Sequence, residues 1–147
     1  LLLSRQNLPF VARDPAALAG IRRGGYVLTD APNARAVIIA TGSELQLALG
    51  AAKKLAEEGI AVRVVSMPSS TVFDRQGEAY RGEVLPKGMP RVAVEAGVTH
   101  GWGKYVGLEG AVVGIDRFGE SAPAGDLFKH FGFTVDNVVA TAKRVIR

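Results

Sequence analysis

Short runs rich in Val, Ile and Ala at residues 36–40, 61–65, 91–95 and 111–115 interrupt longer stretches in which apolar residues recur every three or four positions. The compact runs predict strands and the longer period predicts helices. Strands alternating with helices mean an α/β layered domain. Val37, Ile38, Ile39 and Ala40 are apolar at consecutive positions, so both faces of that strand are covered, as in a largely parallel sheet with helices on each side. Tyr26, Val27 and Leu28 form a candidate fifth strand at an edge.

The punctuation between runs sharpens the helix ends. Asp14 before Pro15 reads as an N-cap with proline at the first helical position, and Gly24-Gly25 closes that short helix. Ser43 and Gln46 have capping-box spacing ahead of a helix whose core face reads Leu45, Leu49, Ala52, Leu55 and Ala56, with Gly59 just past its end. Thr71 and Asp74 share that spacing, although the nearby Gly and charges argue against a long helix. The last helix spans residues 135–145, with Val135, Val138, Val139, Ala142 and Val145 or Ile146 on one face. Residues 1–13, with Leu-Pro and Asp-Pro punctuation, read as a strand end and linker, and the domain proper covers 14–147.

Composition narrows the function classes. At 147 residues, 48% of them hydrophobic, the chain is long enough for one domain with its own core. It contains no cysteine, which excludes disulfide and thiolate chemistry and is compatible with a reducing compartment. No apolar run is long enough to span a membrane. The net charge of +4 comes from scattered pairs such as Arg22-Arg23, Lys53-Lys54 and Lys143-Arg144, without the interleaved aromatics of a nucleic-acid stripe.

Several motifs invite chemistry and are better explained by structure. Gly101, Gly103 and Gly107 miss the dinucleotide spacing, and tight loop or helix packing is the expectation there. In Gly119-Glu120-Ser121-Ala122-Pro123 a proline stands where a nucleophile elbow needs glycine, and Ser121 is read as helping to start a helix around Leu127. His100 and His130 fit no metal-ligand spacing. Glu95 and Asp116 close two strands, where ligands of open α/β sheets gather, yet no nucleophile accompanies them and loop capping is the expected role. Thr41-Gly42-Ser43 joins a strand to a helix, a geometry that also admits an anion or effector.

The chain begins inside an apolar run without an initiator Met, so it reads as an interior piece of a longer protein whose Leu1, Leu2 and Leu3 pack against a preceding domain. Leu1-Leu2-Leu3-Ser4-Arg5-Gln6-Asn7-Leu8-Pro9, Thr41-Gly42-Ser43-Glu44, the segment 63–69, Phe118-Gly119-Glu120-Ser121-Ala122-Pro123-Ala124 and the segment 131–138 occur in that order. Together they closely resemble the C-terminal end of bacterial-type transketolase. The resemblance implies a three-layer α/β/α domain around a five-stranded mixed sheet. It implies an enzyme that moves a two-carbon ketol unit between sugar phosphates with thiamine diphosphate and a divalent metal, Mg or Ca. Cofactor, metal and activating glutamate would belong to the preceding domains and the site to a cytoplasmic homodimer's interface, leaving this segment inert alone. Arg5, in the Ser-Arg-Gln motif, would contact the substrate phosphate, a task that suits a permanently charged, forked guanidinium. Dihydroxyacetone synthase, deoxyxylulose phosphate synthase and the first component of pyruvate dehydrogenase share the domain type, and a free-standing effector-binding α/β module is the alternative from another class.

Overall fold

The structure, a computed structural model, describes residues 6–146. Five strands, β1 (Tyr26–Thr29), β2 (Val37–Ala40), β3 (Arg63–Ser66), β4 (Arg91–Val94) and β5 (Ala111–Val113), form one sheet in the order β1-β3-β2-β4-β5. β1 runs antiparallel to β3, while the β2–β3, β2–β4 and β4–β5 pairs are parallel. The expected mixed sheet with an edge strand at Tyr26 is what forms. The third strand starts two residues later than the apolar run at 61–65, because Ala61 only accepts a hydrogen bond from the Arg35 amide before the ladder begins.

Each central strand alternates between two cores. Ile38, Ala40, Val64, Val92 and Val94 face α2 (Leu45–Glu57) and α7 (Val135–Val145). Val37, Ile39, Val65 and Ala93 face the opposite layer of α3 (Ser70–Asp74), α4 (Glu78–Val84) and α5 (Gly103–Val106), with Phe73, Val84, Trp102 and Tyr105 buried there. All four residues of β2 are fully buried, which is the physical meaning of its unbroken apolar run.

The helix ends divide into those that the local sequence specifies and those that it does not. At α1 (Pro15–Ile21), Asp14 accepts a hydrogen bond from the Ala17 amide at 2.7 Å, and Pro15 opens the helix. α2 ends in a Schellman motif: Gly59 adopts φ +76°, its amide donates to Ala56, and the Ile60 amide donates to Leu55. At the start of α2 the capping box is absent. A 3-10 turn, Gly42–Glu44, precedes the helix, and the Ser43 hydroxyl donates to the Glu44 carboxylate at 2.7 Å instead of capping an amide. α3 is capped by Ser69, whose hydroxyl accepts from the Val72 amide, and not by Thr71. α6 (Ala124–His130) has Pro123 at its N-cap without a side-chain cap, so Ser121 does not initiate it.

Candidate functional site

The connection from β2 enters α2 on one face, and the connection from β4 leads to Trp102 and α5 on the other. These two strands are neighbours. Their carboxyl ends therefore form the point at which the chain turns away in opposite directions, the place where open α/β sheets leave a crevice. Thr41–Glu44 line one side and Glu95–Gly97 the other.

Glu44 is the most perturbed group at this crevice. Its side chain belongs to a residue only 4% exposed. Burial pushes the carboxyl above the usual range; the hydrogen bond from Ser43 opposes the shift, and the charge of Glu95 adds to it. Glu95 accepts a hydrogen bond from the indole Nε1–H of Trp102. A sequence reading had no reason to single out Glu44, since an acid after serine looks like an ordinary first-turn residue; the partners it meets after β4, Glu95 and the Ala96 backbone, are about 50 residues away in the chain.

Asp116 stands apart from that pair and does a loop's work. It accepts from the Thr99 amide at 2.9 Å and from the Thr99 hydroxyl at 2.8 Å, and those bonds hold its carboxyl below the usual range. The capping role expected of Asp116 is thus observed, whereas Glu95 is tied to an indole. His130 is exposed beside Arg117 and Glu120, its Nε2 2.6 Å from an Arg117 nitrogen, and His100 is remote from that group in sequence. Ser121 is exposed. Gly101, Gly103 and Gly107 do not pack tightly: a Cβ at any of them would meet nothing within 4 Å, and Gly107 is required by its φ of +73° instead. Arg5, the residue assigned to a substrate phosphate, and the Leu1, Leu2 and Leu3 segment lie outside the described residues.

Among the described residues no three His, Cys, Asp or Glu side chains stand close enough together to hold a metal ion. No helix of the described residues is long and apolar enough to cross a membrane.

Comparison with known proteins places this architecture. Residues 24–134 match the family model described as Transketolase-like TK C-terminal domain. Transketolase 1 of Escherichia coli is 59% identical over 99% of this chain, which spans 22% of that relative. Among solved structures, transketolase from Leishmania mexicana superposes with a TM-score of 0.82 at 50% identity, covering 88% of this chain and 19% of its own. A Pichia stipitis transketolase in complex with sedoheptulose-7-phosphate gives a TM-score of 0.85 at 42% identity, covering 96% of this chain and 20% of its own. The chain thus spans about a fifth of the length of the relatives it matches. On a family match across most of the residues, together with this identity and topology, the chain belongs to the transketolase C-terminal domain family.

Proposed function

We propose that this chain serves as the C-terminal domain of a thiamine-diphosphate-dependent transketolase, which transfers a two-carbon ketol unit from a ketose phosphate to an aldose phosphate. The observation that carries the reading is 59% identity to a transketolase across 99% of the chain. The sugar phosphate held by the Pichia stipitis relative supports the substrate class. Residues 14–147 are the domain and residues 1–13 the linker; the absence of regular structure between residue 6 and α1 supports that boundary. The diphosphate, the divalent metal and the activating glutamate are supplied by preceding domains, and the working enzyme is a cytoplasmic homodimer. No step of the chemistry is routed through the residues of this chain.

Its own contribution is support and recognition. The two-sided core gives a rigid platform, and the linker presents Arg5 to the phosphate of the bound sugar. A guanidinium pairs with two phosphate oxygens at once and remains charged at any working pH, so it fixes the far end of the substrate without taking part in proton transfer.

The test is steady-state kinetics of the full-length enzyme carrying Arg5→Ala, with a phosphorylated aldose and its unphosphorylated counterpart. Loss of a charged hydrogen bond worth about 1.5–3 kcal/mol lowers kcat/KM for the phosphorylated substrate by roughly ten- to a hundredfold, mainly through KM. Arg5→Lys restores part of it, because the charge returns without the fork. Equal losses on both substrates would remove Arg5 from phosphate recognition.

A further inference from the structure

The first helix of the domain lacks the outer face that a helix in water needs. α1 reads Pro15-Ala16-Ala17-Leu18-Ala19-Gly20-Ile21, without one polar side chain between Asp14 and Arg22. Only Gly20 is buried, Ala17 is half-buried, and Pro15, Ala16, Leu18, Ala19 and Ile21 are exposed. A surface helix carries charged or polar residues on the side away from the core, and a helix apolar all round is normally covered. The other long helices follow that rule, exposing Lys53, Lys54 and Glu57 on α2 and Lys143 and Arg144 on α7.

α1 is also short. Isolated helices below about 12–15 residues are marginal in water and depend on tertiary packing, yet the domain buries a single residue of this one. Gly20 sits so close to Tyr26 that an added Cβ would lie 2.6 Å from the Tyr26 Cβ, which fixes the side of α1 that meets the sheet. Leu18 is about 200° around the helix from Gly20 and is 55% exposed, so it faces away from the domain.

The segment that leads into α1 shows the same excess. Among the described residues seven large hydrophobics are exposed, and four of them, Leu8, Phe10, Leu18 and Ile21, fall within residues 8–21. Phe10 is 91% exposed in the stretch without regular structure before the helix. Single exposed apolar side chains need no explanation, whereas their concentration in one segment marks a contact surface.

The tether decides what covers it. Residues 6–13 connect α1 to the preceding part of the polypeptide across at most about 29 Å of extended chain, and this chain spans only about a fifth of the length of its relatives. A domain held on so short a linker meets α1 at millimolar effective concentration, which favours it over a free partner or a second copy.

We propose that Leu18 and Ile21 of α1, with Phe10 of the linker, form the surface on which the preceding domain of the same polypeptide docks, making α1 a helix buried between two domains. The inference deepens the transketolase reading and rests on it for the existence of that domain.

The experiment uses the full-length enzyme in two measurements. In hydrogen exchange followed by mass spectrometry, Leu18→Ser speeds exchange by about tenfold or more both in residues 15–21 and in at least one segment upstream of residue 1, because a buried leucine is lost from the contact. Lys53→Ser, at an exposed position of α2, changes neither. Leu18 is exposed within the domain, so the substitution leaves the domain's own core intact. In the second measurement Leu18 is replaced by the photocrosslinker p-benzoylphenylalanine, and the expected cross-link joins residue 18 to the upstream domain of its own polypeptide, leaving the mass on a denaturing gel unchanged. The proposal is overturned if Leu18→Ser alters exchange nowhere outside residues 1–147, or if the cross-link doubles the mass and so places α1 against a second subunit. A cross-link confined to residues 1–147 overturns it equally. Transketolase activity of the unsubstituted enzyme is assayed separately: its absence would remove the functional reading, while exchange and cross-linking still decide where α1 docks.

Discussion

Arg91 offers the sharpest test of what holds the layers together. It opens β4, and its guanidinium reaches under the sheet to three carbonyls: Nη1 donates to Tyr105 at 2.7 Å, and Nη2 donates to Pro86 at 2.8 Å and to Leu85 at 3.1 Å. The side chain thereby ties the end of α4 to the end of α5, and burial draws its pKa down without a carboxylate to compensate. Its Nε is buried without a partner. Three charged hydrogen bonds at about 1.5–3 kcal/mol each set an upper limit, from which the unsatisfied Nε and the desolvated cation subtract. Arg91→Met, which keeps the length and drops every donor, is therefore expected to cost about 3–5 kcal/mol, a large share of the 5–15 kcal/mol typical of a domain. Arg91→Lys recovers part of that loss, since one ammonium cannot span all three carbonyls. Urea unfolding followed by the fluorescence of Trp102, the single tryptophan, gives both numbers from midpoints at constant slope. A loss below about 1 kcal/mol for Arg91→Met would mean that the three bonds merely offset the desolvation of the guanidinium, and the clamp would have to be abandoned.

Two further outcomes concern pH. Glu44 has its carboxyl pushed up by burial, so its favourable contribution is complete below the unfolded value near 4.3 and is lost as pH rises through the folded value. Glu44→Gln keeps an acceptor for Ser43, and its stability relative to the parent should increase from about pH 4 upward in parallel thermal melts; a constant difference across pH would show that Glu44 does not titrate with folding. Asp30 shifts the other way, because hydrogen bonds from Arg63 hold its carboxyl low. Its contribution is present above the unfolded value near 3.9 and disappears as pH falls through the folded one. With the Asp30 side chain 48% exposed, Asp30→Asn should cost no more than about 1 kcal/mol at pH 7 and nothing near pH 2, and an undiminished cost in acid would assign the effect to the loop instead.

How far the fold could be read from the sequence depends on the distance over which each feature is decided. Asp14, Gly59 and the span of α7 are specified by their own neighbours, and each forms as its local pattern dictates. α2 shows where that logic fails. Residues 45–52 are apolar almost throughout, so size alone cannot tell which side meets the sheet. Leu45 and Leu55 are buried as their spacing predicts, but the small Ala48 and Ala51 complete the buried face, Leu49 and Ala52 are half-buried, and Ala56 is exposed. Gly50 marks the second contact: an added Cβ there would come within 2.8 Å of Val135 on α7. A helix squeezed between a sheet and another helix follows both, and a single periodic stripe describes neither.

The candidate site at Glu44 fails to announce itself because its decisive contact is not the one that the local pattern suggests. Ser43 looks like a cap because hydroxyls before helices usually accept from amides, yet here the hydroxyl donates to the carboxylate of the buried Glu44. Burial is the stronger demand, since a carboxyl removed from water without a donor costs more than an uncapped amide that a 3-10 turn can satisfy locally.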